Sequence, residues 1–208
     1  MAPQTAPYAP FVLAAFAVAL LSGSLLGAVS LWRAQGQLLI VPLELNRVHG
    51  LTQLFGFMLL MIMGVSFQIA PSFLGGVPAK PQLVRFCAAA SFSGIAVTVW
   101  GHIASSDIAH WLSIGGAALV CYSITAWLLF IWRLHRKAPA MPDSLARFVM
   151  AGTSWWWLAS ISLVGFSLGQ AMNLAATARL IDVVYATALW GGTGSWLLGI
   201  FLRAGACT

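Results

Sequence analysis

Charge is what this sequence has least of. Only 7% of its 208 residues are charged, against about a quarter in an ordinary soluble domain, so a water-facing globular surface is excluded. Disorder is excluded as well, because 61% of the residues are hydrophobic and so apolar a chain cannot stay solvated. Acids are the scarcest charges: four stand against ten Lys and Arg, for a net charge of +6. In a soluble protein that bias would point to nucleic acid. On a chain this apolar it is the bias that orients membrane proteins, and no nucleic-acid partner is expected. Cysteine is scarce too. Cys87, Cys121 and Cys207 are dispersed, odd in number and form no CxxC pair, which leaves neither a disulfide framework nor a zinc site. They read as small apolar fillers. No segment alternates with the period of two that a membrane β-barrel needs. The opening Met-Ala-Pro-Gln-Thr-Ala-Pro has no basic stretch, and the apolar run behind it is too long for the core of a signal peptide, so that run is expected as a retained helix.

What is present is long apolar runs. Six are long enough for the roughly 20 helical residues that cross a bilayer, at about 11–32, 48–70, 84–103, 110–133, 148–173 and 180–203. Pro10, Pro42, Pro71, Pro78, Pro81, Pro139 and Pro142 fall between these runs or at their ends, where a residue without an N–H disturbs a helix least. The expectation is an all-α integral membrane protein, a single six-transmembrane-helix bundle in the lipid bilayer.

Six spans put both termini on one side. That side collects Lys80, Arg85, Arg133, Arg136, Lys137, Arg147 and Arg203, with Asp143 as its one acid. The other side holds Arg33, Arg47 and Arg179 against Glu44, Asp107 and Asp182. Basic loops stay in the cytoplasm, so both termini are expected there, with the outer face neutral overall. Trp32, Trp100 and Trp111 at the outer ends and Trp132 at an inner end suit the headgroup layers. Trp155, Trp156 and Trp157 point in several directions and read as lipid and packing contacts.

Function is sought among the few polar residues. His135 lies in the basic Arg-Leu-His-Arg-Lys stretch and reads as a solvated side chain. His49, His102 and His110 share the outer end, and ionisable groups at membrane depth are functional candidates, although interfacial water satisfies an imidazole at a helix end. The second span is the informative one. At about 100° per residue, His49, Gln53, Gly56, Leu60, Gly64, Phe67 and Pro71 share one face. Two glycines below a histidine make a smooth surface for a flat macrocycle whose iron an imidazole would bind axially. From spacing alone the commoner reading is that they are the small residues at which membrane helices pack.

The run His49-Gly-Leu-Thr-Gln-Leu-Phe-Gly-Phe, followed by Met61-Ile-Met-Gly-Val and Pro71, resembles the second helix of haem–copper oxidase subunit I. It is still more similar to the short subunit-I-like membrane proteins related to the NnrS family. The resemblance is good over 45–75 and looser elsewhere, where the six-span plan and the basic stretch after span four also fit. It implies that His49 is an axial ligand of a low-spin haem near the outer face. Two departures stand out. Leu51 occupies the place of a second family histidine, and Tyr185 the place of the histidine that opens the last helix. Tyrosine can ligate haem iron, but a neutral phenol is a poor ligand. His110, which opens a span running parallel to that of His49, is preferred as the opposite ligand, with His102 and Tyr185 as alternatives. His49 and His110 are the metal-ligand candidates, for iron first and copper second. The oxidases' cluster of three copper-ligating histidines has no counterpart. Arg33 and Arg47 are the candidates for pairing with haem propionates, although either one alone reads better as an ordinary interfacial arginine.

The leading expectation is a bacterial inner-membrane protein that binds haem b, the b type because no CxxCH motif exists. It would act in electron transfer or in handling a haem ligand such as nitric oxide, beside other membrane or periplasmic redox subunits. The alternative is a cofactor-free accessory subunit on an oxidase-like scaffold, which Leu51 and Tyr185 favour. No complete catalytic centre is recognisable. A transporter is a weaker third reading, since no span carries paired mid-membrane charges or an evident break.

Overall fold

The computed structural model of the chain describes residues 8–35, 43–74, 76–104, 106–137, 143–174 and 177–205. The opening heptapeptide, Pro42, Pro139, Pro142, Cys207 and the side chains of Arg33, Glu44, Asp143 and Arg203 lie outside the described residues. Every regular element described is helical. The elements join into six rods: α1 (9–35), α2 (43–73), α3 (Pro81–Ala104), α4 (Asp107–Lys137), α5 (Asp143–Ala171) and α6 (177–205). Each expected span falls within one rod or overruns its end by at most two residues. α1 through α5 are long and apolar enough to cross a membrane. α6 is long enough, but its Trp190-Gly-Gly-Thr-Gly-Ser-Trp196 run dilutes its apolar character, and it is not among those five.

Local chemistry sets the helix ends. Pro81 opens α3, as suits a residue whose missing N–H would have no helical partner there. Ser106 caps α4, its Oγ accepting from Ala109 N at 3.2 Å. α5 ends at Ala171 and turns at Asn173, the one non-glycine residue described with positive φ (52°), and Leu174 N returns to Gly169 O at 2.9 Å. Asn tolerates that left-handed turn because its short side chain bonds locally. Pro71 lies inside α2, in its last turn, and the helix runs on to Phe73.

α2 is the centre of the bundle, touching α1, α3, α4 and α6, and it is the most buried of the five spans. α3, α4, α5 and α6 follow round it as antiparallel neighbours. α1 is the least buried. Leu13, Leu20, Leu21, Leu25 and Leu31 stand exposed along it, a surface compatible with lipid. The core is apolar with a tryptophan centre: Trp127 stacks on Trp196 at 5.8 Å and Trp156 meets Phe55 edge-on at 5.5 Å. Trp156 is fully buried, whereas Trp155 and Trp157 are partly exposed, so one of the three adjacent tryptophans is a core residue. Cys87 is buried against Ser123, as a filler should be.

Three π-helical stretches interrupt the rods, at Ala19–Ser24 in α1, Thr52–Leu59 in α2 and Thr187–Thr193 in α6. The second touches both others, so they share one level of the bundle. Such wide turns are rare and concentrate at functional sites.

Candidate functional site at the histidine end of the bundle

His49 is half-buried, its Nδ1 buried without a hydrogen-bond partner. Its ring lies over Gly27 of α1, where an added Cβ would stand 3.3 Å from Cε1. One turn on, the Gln53 amide sits over Gly23. The pattern then reverses. Gly56 receives Val18 of α1 and lies near Ile95 of α3, and Gly64 receives Phe11, whose Cβ is 2.6 Å from where a Gly64 Cβ would be. Phe67 meets the Phe11 ring at 5.6 Å. The face expected from spacing is therefore one face, and α1 covers it. Large side chains of each helix enter the gaps that glycines leave in the other, the close approach that small residues permit in membranes.

The candidate ligands point different ways. The Tyr185 O–H donates to Arg47 O at 2.9 Å, and its ring end presses on Gly50, where a Cβ would lie 2.6 Å from the phenol oxygen. It ties α6 to the backbone of α2. Arg47 and Tyr185 share a cleft of about 290 Å³ with Asn46, Ile181 and Asp182. His102 is 5% exposed and packs on Phe166 of α5 with ring centroids 5.3 Å apart. Gln170 lies one turn further along α5, within reach of this imidazole. His102 Nε2 and Gln170 Oε1 are both buried without a hydrogen-bond partner. His110, in the first turn of α4, lines a cleft of about 300 Å³ with Asp107, Trp111, Gln170 and Asn173. His102 and His110 thus share Gln170 as a neighbour, while His49 faces α1. No group of three metal-ligating side chains is assembled among the described residues.

For a haem the donors and the cradle disagree. Imidazoles with unpartnered buried nitrogens are suitable axial donors. The glycine face that would admit the macrocycle is instead filled by Val18 and Phe11. Gly23 and Gly27, a pair four apart in the first span, are the contributors that the sequence reading left out. Their spacing was the available signal.

No family model, curated protein or solved structure matches the chain. The motif around His49 therefore stands as a resemblance.

The Tyr185–Arg47 bond gives a direct check of the α2–α6 contact. Tyr185→Phe is expected to lower stability by about 1 kcal/mol, the usual net worth of one hydrogen bond, read as a small drop in the thermal midpoint in detergent. No drop would mean that α6 does not rely on this contact.

Proposed function

We propose that the chain is an accessory subunit of a bacterial inner-membrane redox assembly. It is a six-span, oxidase-like scaffold with both termini in the cytoplasm, on which the haem face of the second helix has become a helix-packing face. The observation that carries this reading is the packing of Val18 and Phe11 against Gly56 and Gly64. Tyr185 supports it, because the phenol that stands where the family has a ligand donates to the Arg47 carbonyl. Its partners on this reading are other membrane or periplasmic redox subunits, which the neutral outer end or the exposed rim of α1 would meet.

The second reading is a b-type haem held by His49 near the outer face, in electron transfer or in handling a ligand such as nitric oxide. It is favoured by the unpartnered Nδ1 of His49 and by α1 being the least buried span. α1 would then have to withdraw to open the glycine face. The bound haem would supply redox or ligand-binding chemistry. The chain's part would be to donate an imidazole and keep water away.

One measurement separates the two. Protein expressed with ample haem, purified in detergent and reduced with dithionite is expected to show no Soret band and no pyridine haemochrome. A Soret band that disappears in His49→Ala and persists in His135→Ala would overturn the accessory reading and establish the haem one.

A further inference from the structure

Three of the seven basic residues assigned to the inner end stand on one helix terminus. The last turns of α4 read Trp132-Arg-Leu-His-Arg-Lys, and only Leu134 among these six is buried. Three full charges fall within five residues, and the only acid on α4, Asp107, lies at its opposite end. Arg136 is placed by geometry, its Cζ 4.8 Å from the centre of the Trp132 ring. That contact lays the flat guanidinium against an indole, a side chain suited to the headgroup layer. At the helical repeat Arg133 and Arg136 lie above Leu129 on the outward side of α4, and Leu129 is exposed. Towards α5, Trp157 is partly exposed and donates from Nε1 to Thr125 Oγ1 at 3.0 Å. Leu129 and Trp157 thus present exposed apolar surface on two touching helices, leading away from the charged end.

From this arrangement we propose that the inner end of α4 binds an anionic phospholipid. The headgroup phosphate is taken by Arg133, Arg136 and Lys137, and an acyl chain lies along Leu129 and Trp157. A charge bias that serves orientation alone needs only the number of basic residues. The Trp132–Arg136 contact above exposed apolar surface adds a placed donor and a path for a chain. Guanidinium groups bind phosphate through paired N–H bonds, and each basic side chain at a membrane surface strengthens attraction to anionic lipid.

The test uses the full chain in phosphatidylcholine nanodiscs with and without phosphatidylglycerol, read by native mass spectrometry and by lipid titration. The wild type is expected to retain phosphatidylglycerol in preference to phosphatidylcholine. Arg133→Gln, Arg136→Gln and Lys137→Gln combined are expected to weaken that retention about a hundredfold, from about a factor of five per lost charge. Trp132→Ala, which keeps every charge, is expected to weaken it by a smaller factor. Arg179→Gln, at the other end, is expected to leave it unchanged. Equal retention of the two lipids, or retention unaffected by the triple change, overturns the proposal. Displacement of the lipid by glycerol phosphate at similar concentration also overturns it, because the site would then take a free phosphate and not a lipid. All four substituted side chains at the α4 end are exposed, so the fold should persist, and an unchanged thermal midpoint in phosphatidylcholine checks this.

Discussion

Gly116→Ala is expected to destabilise the protein strongly, whereas Gly115→Ala next to it leaves stability unchanged or raises it. The two differ only in the direction they face. A Cβ on Gly116 would stand 2.6 Å from Gly94 O and from Thr98 Oγ1, and 2.7 Å from Thr98 N. Two of these atoms belong to the α3 backbone, so no rotamer change makes room and the helices must separate. A Cβ on Gly94 would likewise stand 2.7 Å from Gly116 O, and one on Gly101 2.5 Å from Ala109 O. Separation would also strain the buried Ser91–Ser123 bond of 2.8 Å and the Ser123–Cys87 bond of 3.0 Å lower in the same seam. Overpacking of this kind costs about 1–3 kcal/mol, and the upper end is expected here because the obstacles are backbone. Gly115 has nothing within 4 Å of its added Cβ, and alanine there gains up to about 1 kcal/mol in helix propensity. Thermal unfolding of both variants in one detergent tests the pair. Similar midpoints would show that α3 and α4 do not cross as described.

Trp127→Ala is expected to cost more, about 3–5 kcal/mol, the range for removing a large aromatic from a packed core. Trp127 is fully buried, stacks on Trp196 of α6 with planes 19° apart and donates from Nε1 to Ser66 Oγ of α2 at 2.7 Å. One side chain thus joins three helices at the middle of the bundle. Trp127→Phe separates the contributions, keeping most of the ring and losing the N–H bond. Ser66 Oγ still donates to Met63 O at 2.8 Å, so the hydroxyl is not stranded and the phenylalanine variant should lose much less than the alanine one. Equal losses would mean that the hydrogen bond, and not the packing, holds the centre. Low yield of properly inserted protein is the expected cellular consequence of the alanine variant.

Much of the architecture was legible before any contact was known. The six apolar runs coincide with the six rods because a run of about 20 apolar residues has one stable form in lipid, the helix, which satisfies its own backbone. The common face of His49, Gln53, Gly56, Gly64 and Phe67 was legible for a related reason, since helical periodicity alone assigns residues to faces. What covers that face was not legible. Glycine spacing is the same for a macrocycle seat and for a helix crossing, and only the placement of Val18 and Phe11 opposite Gly56 and Gly64 distinguishes them. The same holds for Trp156, whose burial beside partly exposed Trp155 and Trp157 depends on how α5 is rotated against α2 and α6. It holds equally for Gly115 and Gly116, identical neighbours in sequence.

Composition and hydropathy by themselves determined that this is a multi-pass helical membrane protein. A chain with so few charges has no soluble alternative, and hydrogen bonding within each segment is a local matter. Only the tertiary structure decided which polar groups at the histidine end meet. It turned His49 towards α1, set His102 and His110 around Gln170, and committed Tyr185 to the Arg47 carbonyl. Those pairings join residues far apart in the chain, and they follow from the rotation and crossing of packed helices, which spacing within one helix does not specify.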